Sequence, residues 1–435
     1  MDAIKQTVAQ NLGIGGAHEQ VPESQQFNLD DTPNLEGKVA VITGGSEGIG
    51  YGASHTLLSH GIEKLFILSV SKEVVDGSIK AIKEEMGEET AKKVTWLECD
   101  LSDWKKVKQT ADKIASSTDR IDILINNAAR GIMTYQLTDY GVDRHMAVNH
   151  MAHVILTSHL LPILKKTASN GNTVRISNQA SNAHQATPSD TKFESLDELN
   201  RDLGPNGQYG RSKLAAILYS RYLNRHLTSS HPNILINATH PGFVDTKMSS
   251  QDIHEPYPLA GYAMSVGMAP LKKDIMQGCV STVFAATTTT KSGEYICPPA
   301  VPESGNAMAQ DEQLGENLMK LTREIVKEKT DEDSAAQGCP EFKGKNMINI
   351  REYYEKDGEA LPGKKGISLP IEQFNTLIKL LPQIETALAE KGESIERPDY
   401  GGVVASAAVD EDDDEEDEEV EKKGKKNFEE TSDEE

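Results

Sequence analysis

The stretch VAVITGGSEGIG, Val39 to Gly50, decides the fold of the first part of this 435-residue chain. An apolar run of strand type ends at Thr43, and glycines follow at positions 44, 48 and 50. Glycines permit a tight turn and a close backbone approach to a pyrophosphate, while the N-terminus of a following helix offers free amides. A plain structural turn is the alternative. The strand–turn–helix context favours a dinucleotide site, whose candidate residues are Thr43, Gly44, Gly48, Ile49 and Gly50.

Apolar runs of strand length recur along the chain and alternate with stretches of helical composition, such as 72–86 and 139–165. Near-continuous Val, Ile and Leu strands separated by helices are typical of a parallel sheet covered on both faces. The sequence therefore predicts a doubly wound α/β (Rossmann) domain over residues 37–330. Its predicted strands are 38–43, 64–69, 94–99, 121–126, 173–178, 234–239 and 293–297.

Composition divides the rest of the chain. Residues 1–36 are polar and aperiodic and are predicted to be a flexible leader, and residues 331–340 are predicted to be a linker. Residues 341–396 are predicted to be a small α+β domain, an antiparallel sheet plus a helix, with a strand near 347–354, a turn over 357–366 and the helix over 370–390. Residues 397–435 contain ten consecutive acids and are predicted to be a disordered acidic tail.

The charge balance excludes a generally basic, nucleic-acid-coating protein. The formal net charge is -23, and sixteen acids against four lysines in residues 410–435 account for -12 of it. Four widely spaced cysteines without a CxxC pair favour neither a disulfide framework nor a zinc site. The sequence shows neither a long apolar run nor a secretory signal. We therefore expect no membrane span, and a cytoplasmic or nuclear rather than secreted protein.

The stretch YGRSK carries the strongest catalytic signal, because Tyr209 and Lys213 lie four residues apart on one face of a predicted helix. A free phenol with a pKa of about 10 is a poor acid–base catalyst, and a neighbouring ammonium stabilises its phenolate. Ser181 follows the fifth predicted strand at the edge where such sheets bind ligands, and Asn149 lies in the helix before that strand.

These elements, with INNAA at the end of the fourth strand and HPGFVDT after the sixth, resemble the short-chain dehydrogenase/reductase family over about residues 37–330. The polar insertion between Ser181 and Tyr209 resembles the retinol-dehydrogenase-like and WW-domain-oxidoreductase-like branch of that family. The resemblance implies that Tyr209 is the catalytic acid–base and that Lys213 binds the nicotinamide ribose and lowers the tyrosine pKa. It implies further that Ser181 holds the substrate oxygen and that Asn149 keeps a water in a proton relay. It also implies a cofactor groove lined by Gly44, Gly48, Gly50, Asp100, Asn127 and Thr246.

The choice of cofactor stays open between NADP and NAD. The second strand ends without the acid that would bind a ribose 2′-hydroxyl, which favours NADP, whereas Glu47 in the glycine loop favours NAD. Asp100 either contacts adenine or caps the next helix. The insertion 182–208 and a predicted lid over 249–271 would border the entrance for a small, apolar carbonyl or alcohol substrate. No metal site is predicted from His145, His150, His153 and His184, because no carboxylate or cysteine completes a ligand set.

A second resemblance covers about 55 residues from Phe342. FKGKNMINIREYY, PGKKGISL and the following helix are similar to the single-stranded-DNA-binding domain of the transcriptional positive coactivator (positive cofactor four) family. The resemblance implies single-stranded DNA and the transcription machinery as partners, and both families allow a homodimer. The family's first strand is not recognisable before Phe342, and Leu361 replaces a usual basic residue. Carried over, Phe342 and Tyr354 would stack on bases, and phosphates would be bound by Lys343, Lys345, Arg351 and Lys365.

Two hypotheses follow. In the first, the chain is an NAD(P)-dependent oxidoreductase that interconverts an alcohol and a carbonyl and is fused to a DNA-binding module, and the fusion itself could be a gene-model error. In the second, the chain is a transcription coactivator, and its large domain is a non-catalytic nucleotide-binding body. The intact set Asn149, Ser181, Tyr209 and Lys213 favours the first.

Overall fold

The computed structural model describes residues 21–247, 254–257, 273–330, 341–342, 345–356, 359–370, 375–377 and 379–381. The chain divides into two compact units, residues 1–333 and 334–435. Most of the predicted lid, the predicted linker 331–340, Lys343 and the acidic tail lie outside the described residues.

The described part of the first unit contains one eight-stranded sheet in the order β3-β2-β1-β4-β5-β6-β7-β8. Adjacent strands from β3 to β7 pair in parallel, and β8 pairs antiparallel with β7. The strands are β1 Val39–Thr43, β2 Lys64–Ser69, β3 Val94–Glu98, β4 Ile123–Asn126, β5 Val174–Gln179, β6 Ile234–Thr239, β7 Tyr295–Cys297 and β8 Val301–Glu303. The predicted doubly wound α/β class is confirmed. The seven predicted strands match β1–β7, and β8 was not predicted.

Helices cover both faces of this sheet. They are α1 Gly48–Ser59, α2 Lys72–Met86, α3 Trp104–Ser117, α4 Ala152–Ser169, α5 Gly204–Leu227, α6 Ile275–Thr287 and α7 Glu312–Thr330. Alternate residues of a strand face opposite sides. Val39 and Val41 therefore join a core cluster with α3, α4, α5 and α7, whereas Ala40 and Ile42 join a second cluster with α1, α2 and α6. Burial on both faces explains why the parallel strands read as continuous apolar runs.

The helix before β5 is long and irregular. Asp143 caps its start by accepting a hydrogen bond from the Met146 amide at 3.0 Å, and a π-helical turn, Ala147–Met151, leads into α4. The span Arg144–Ser169 is apolar and long enough to cross a membrane, but 72% of its most apolar window is buried inside the fold. Core packing accounts for this helix.

Residues 21–36, which the sequence assigns to a flexible leader, instead pack on the first unit. Leu35 is buried in the second core cluster, and its amide donates to the His60 carbonyl at 2.8 Å. The Phe27 ring lies 5.2 Å from the ring of Phe284, centroid to centroid. The prediction was wrong for this part, because the two apolar side chains are too widely spaced to produce a periodic pattern.

The described part of the second unit contains a three-stranded sheet in the order β11-β10-β9. Its strands are antiparallel: β9 Glu341–Phe342, β10 Lys345–Lys356 and β11 Glu359–Pro370, with helical residues at 375–377 and 379–381. The prediction of a turn over 357–366 was wrong, because the chain reverses between Lys356 and Glu359, which pair with each other, and continues as a strand. Glycine, proline and lysine have low strand propensity, and cross-strand pairing overrode that preference.

Candidate active site

A cleft of about 410 Å³ opens at the carboxyl ends of the strands, beside the point where β1 separates β2 from β4. Doubly wound sheets bind ligands at this switch point. Of the predicted cofactor residues, those lining the cleft are Gly44, Gly48, Ile49, Asp100, Asn127, Lys213 and Thr246. The structure therefore brings together residues that are up to about two hundred positions apart in the chain.

The glycine loop fits a cofactor phosphate because side chains are excluded from it. Gly44 and Gly48 have φ values of +65° and +56°, where an L side chain is strained. A Cβ on Gly50 would lie 2.0 Å from the Gly44 carbonyl oxygen and 2.6 Å from Nδ2 of Asn127. Glu47 precedes α1 and makes no side-chain cap hydrogen bond. The first-turn amides of α1 therefore face the cleft side without a side-chain cap, as an anion site requires.

Asp100 lies at the tip of β3 and lines the cleft, but it does not cap the next helix. Its Oδ1 accepts hydrogen bonds from the amide and the hydroxyl of Ser102, both at 2.8 Å. Asp103 caps α3 instead, because its Oδ1 accepts from the Lys106 amide at 3.0 Å. Helix capping by Asp100 was therefore wrong, and its contact with adenine stays a prediction.

Tyr209 and Lys213 line one side of the cleft, and Ser181 lies beside Tyr209 but is not among the residues that line the cleft. The Ser181 and Tyr209 side chains form a hydrogen bond, and Tyr209 and Lys213 line the cleft from one face of α5. The Lys213 ammonium lies 5.4 Å from the centroid of the Tyr209 ring and donates to the Gln179 carbonyl oxygen at 2.8 Å. Tertiary folding therefore joins the end of β5 to the second and third turns of α5.

Burial controls the protonation of the two catalytic candidates. It raises the pKa of Tyr209 to about 12, although the hydrogen bond from Ser181 acts to lower that pKa. Burial also lowers the pKa of Lys213 to about 7, so that this lysine is only about half charged at neutral pH. The protein groups by themselves therefore do not lower the pKa of Tyr209, contrary to the expectation for Lys213. Desolvation is the largest influence on the pKa of Tyr209, and only the hydrogen bond from Ser181 acts against it.

Asn149 lies in the π-helical turn, and its carboxamide is held by protein groups. Its Oδ1 accepts from the Arg130 amide at 2.7 Å, and its Nδ2 donates to the Arg130 carbonyl at 3.0 Å and to Oγ of Ser212 at 2.9 Å. The Ser212 hydroxyl in turn donates to the Tyr209 carbonyl at 2.8 Å. Asn149 therefore braces the loop after β4 against the Tyr209 helix, and the water-holding role stays a prediction.

Two of the predicted cofactor residues, Thr43 and Gly50, lie behind the cleft rather than in its lining. The Thr43 side chain is fully buried, and its Oγ1 accepts from the Asn127 and Ala128 amides at 2.9 and 3.0 Å. Gly50 gives Asn127 room to donate to the Thr43 carbonyl at 3.0 Å. Both residues thus support the groove from behind.

Several cleft residues were not singled out from the sequence, and they are Val70, Arg130, Met133, Arg144, Val148, Gln179 and Lys247. Arg130 directly follows the INNAA segment, so its position after a strand was a usable signal. Arg144 and Val148 reach the cleft only because the helix before β5 starts beside it, which no local pattern reveals.

The four histidines considered as metal ligands bind separate protein groups. His145 contacts the Gly131 carbonyl at 2.9 Å, and His150 contacts Oγ1 of Thr322 at 2.9 Å. His184 contacts the Ser181 carbonyl at 2.8 Å. Within the described ranges, no group of three or more histidine, cysteine, aspartate or glutamate residues could hold a metal ion.

The candidate nucleic-acid residues of the second unit are placed by backbone register. Lys345, Arg351 and Tyr354 lie on β10, Phe342 on β9 and Lys365 on β11. Arg351 pairs with Gly366, next to Lys365, and the β10–β11 register shifts between Arg351 and Tyr353. The hairpin therefore brings two of the predicted basic positions close together in the sheet.

Comparison with known proteins agrees with both family resemblances. Residues 38–189 match the family described as short chain dehydrogenase, and residues 339–380 match the family described as Transcriptional Coactivator p15 (PC4). The Neurospora crassa protein bli-4, which carries the designation of a mitochondrial oxidoreductase, is 56% identical over 345 residues, 78% of this chain and 83% of the relative.

The short chain dehydrogenase/reductase dpchH of Colletotrichum higginsianum is 32% identical over 319 residues, 69% of this chain and 78% of the relative. A crystal structure of a Mycobacterium paratuberculosis protein has the same fold, with a TM-score of 0.54 and 24% identity, over 70% of this chain and 98% of that chain. Fold and site together define an oxidoreductase of the Rossmann class. The chain belongs to the short-chain dehydrogenase/reductase family and carries a PC4-type segment after that domain.

Proposed function

We propose that the first unit exchanges a hydride between NADP and the carbon of an alcohol/carbonyl pair, with Tyr209 as the proton-transfer residue. The observation that carries this proposal is the Ser181–Tyr209 hydrogen bond beside the buried Lys213 at the edge of the cleft. When bound, the nicotinamide accepts or supplies the hydride. The protein has to hold the substrate oxygen and move one proton to or from it.

Ser181 and Tyr209 present two hydroxyl groups to one substrate oxygen. A tyrosine with a pKa of about 12 keeps its proton at neutral pH, so it is ready to act as an acid toward the strongly basic oxygen of a carbonyl that receives a hydride. In the opposite direction the phenolate must form. Positive charge from Lys213 and from an oxidised nicotinamide is then needed to offset the cost of burial.

We also assign the parts of the cofactor to residues that line the cleft. We expect the glycine loop and the N-terminus of α1 to hold the pyrophosphate, Asp100 to contact the adenine, and Lys213 to bind the nicotinamide ribose, because all of them line the cleft. Ser69 and Val70 line the cleft where the end of β2 offers no carboxylate, and Lys72 follows close by. These features support NADP over NAD. Exchanging Ser69 for Asp is expected to shift the preference toward NAD.

We propose a small, apolar substrate, because Met133 and Val148 are among the residues that line the cleft. Glu255, on the short described segment 254–257, accepts from the Thr134 amide at 2.9 Å. The predicted lid residues around that segment lie outside the described ranges.

We assign the protein to the cytoplasm or the nucleus.

The decisive experiment measures reduced-nicotinamide absorbance with the full chain and a panel of aldehydes and alcohols, comparing wild type with Tyr209→Phe. The variant is expected to lose about 10³-fold or more in kcat while it still binds NADPH. Tyr222→Phe is the matched control, because this phenol accepts a hydrogen bond from Arg323 at 2.8 Å outside the cleft. Unchanged turnover in Tyr209→Phe would remove the mechanism and leave the non-catalytic alternative.

A second function is supported by the PC4-type segment, for which we propose binding of single-stranded DNA through residues 341–396. Lys345, Arg351 and Lys365 are described on two paired strands of one sheet. Phosphate contacts make affinity fall steeply with salt. An oligo-dT titration of the full chain at several salt concentrations should show this slope, and Arg351→Ala should weaken binding at every salt concentration. Binding that does not respond to salt would contradict the proposal.

A further inference from the structure

A side-chain network behind the cleft connects the cofactor groove to Asn149 through one histidine. His153 lies in the first turn of α4 and is only 4% exposed. Its Nε2 lies 2.9 Å from Oγ1 of Thr43, and its Nδ1 lies 3.2 Å from the carbonyl oxygen of Asn149. The predicted chemistry of the site does not use this residue.

The direction of each hydrogen bond follows from counting donors. Oγ1 of Thr43 already accepts from the amides of Asn127 and Ala128, which fills both of its lone pairs. Its own proton must therefore point to Nε2 of His153, which accepts. The remaining proton of a neutral imidazole is then on Nδ1, which donates to the Asn149 carbonyl. Burial lowers the pKa of His153 to about 4, so this neutral form is the one present at pH 7.

Each end of His153 contacts one half of the proposed active site. Through Thr43, it stabilises the acceptor that holds the backbone of Asn127 and Ala128, both of which line the cleft. Through the Asn149 carbonyl, it holds the π-helical turn whose carboxamide braces Arg130 and the Tyr209 helix. A side chain in this position has to accept at one end and donate at the other, and neutral histidine does both.

We propose that His153 is a positioning residue that sets the cofactor groove and the Asn149 turn relative to each other. This inference rests on the proposed oxidoreductase function, but its cofactor half is measurable without turnover. The Thr43 contact governs the affinity for NADPH. The Asn149 contact governs the rate of the chemical step, because it orients the turn that packs on the Tyr209 helix.

Two conservative substitutions separate these contacts. In His153→Gln, the side-chain oxygen takes the place of Nε2 and accepts from Thr43, but the amide nitrogen at the end of the side chain does not take the place of Nδ1, which donates to the Asn149 carbonyl. In His153→Asn, the shorter amide donates to the Asn149 carbonyl but does not reach Thr43. We expect His153→Gln to lower kcat about tenfold with little change in NADPH affinity, and His153→Asn to weaken NADPH binding about tenfold with kcat largely kept.

The measurements use the full chain, with NADPH affinity from fluorescence titration and turnover with decanal and benzaldehyde. His159→Gln is the matched control, because the His159 ring makes the same kind of bond within α4, to the Ile155 carbonyl at 2.8 Å, but lies outside the π-helical turn and does not line the cleft. Thermal unfolding of all variants shows whether a loss is only one of stability. The inference is overturned if both His153 variants change affinity and kcat in the same proportion, or if they behave like His159→Gln.

A different outcome identifies failure of the proposed function. If wild type binds NADPH but turns over no substrate, the reaction assignment fails, whereas the two NADPH affinities still decide whether the Thr43 contact acts as inferred. If wild type does turn over a substrate and the split between the two variants is absent, only the inference about His153 fails.

Discussion

Replacing Lys213 by methionine should make the protein more stable at pH 7, although the same change should inactivate it. Lys213 is 3% exposed, and burial lowers its pKa from 10.5 to about 7. A difference of roughly 3.5 pH units corresponds to about 5 kcal/mol of destabilisation. Methionine removes this cost and keeps an unbranched side chain. It also leaves the Gln179 carbonyl without its donor, which costs about 1–3 kcal/mol. The expected net gain in the free energy of unfolding is about 2–4 kcal/mol.

The sign of the pH dependence provides the sharper check. Between pH 7 and 10.5 the unfolded lysine binds a proton that the buried lysine does not, so wild-type stability gains from this group as the pH rises. The advantage of Lys213→Met should therefore be large at and below pH 7 and shrink as the pH rises. Near pH 10.5 only the cost of the unpaired Gln179 carbonyl remains, so that wild type becomes the more stable protein. Urea unfolding followed by tryptophan fluorescence reports on the first unit alone, because both tryptophans, Trp96 and Trp104, lie there.

The control is Lys113→Met, which makes the same change at an exposed position of α3 and should leave stability within about 0.5 kcal/mol. The reasoning is refuted if Lys213→Met is less stable than wild type at pH 7, or if its difference from wild type is the same at pH 7 and pH 10. Either result would mean that the lysine is solvated or paired in the folded protein rather than desolvated.

The remaining predictions concern the glycine loop, the buried histidines and the serine. Gly50→Ala places a Cβ 2.0 Å from a backbone oxygen, so it should destabilise the protein by more than about 2 kcal/mol and weaken NADPH binding. Gly77→Ala, which has open space around it in α2, should stabilise the protein slightly. Equal melting temperatures of the two variants would contradict this expectation. Burial lowers the pKa of His150 to about 3, so as the pH falls below 6.5 this histidine becomes protonated in the unfolded chain before it does in the folded protein. The free energy of unfolding should therefore fall by up to about 1.4 kcal/mol per pH unit because of this group. In acid titrations of stability, His150→Gln should show a shallower slope than wild type. Ser181→Ala should reduce kcat by about 10²-fold or more at nearly unchanged NADPH affinity, and a purely higher NADPH Kd would argue against its placement at the substrate oxygen.

Local patterns predicted those parts of the fold in which short-range physics and tertiary packing agree. β2 and β6 begin and end where the apolar runs begin and end, and α2 spans the predicted 72–86. Buried parallel strands must be apolar on both sides, and Ser71 and Gly87 bound α2 with a cap and a left-handed glycine. β8 was not predicted because its three residues include Pro302, which has low strand propensity and is confined to the edges of sheets.

The catalytic candidates were also predictable as residue types, because a phenol and an ammonium four positions apart on a helix are already neighbours. Their protonation was not. The sequence suggested that the pKa of the Tyr209 phenol is lowered. In the structure, burial raises the pKa of Tyr209 and lowers the pKa of Lys213. Desolvation depends on everything that surrounds a group, and that environment comes from strands and helices far apart in the chain.

The amino-acid sequence by itself determined the order of strands and helices, the glycine turn, the spacing of Tyr209 and Lys213 and the kinship of both units, since each is a local property of a few neighbouring residues. Only the tertiary structure decided that Ser181 bonds to Tyr209, that Thr43 supports the groove from behind, and that His153 links it to Asn149. These contacts join positions up to about a hundred residues apart. They exist because the sheet order brings β1, β4 and β5 side by side, which no local pattern can encode.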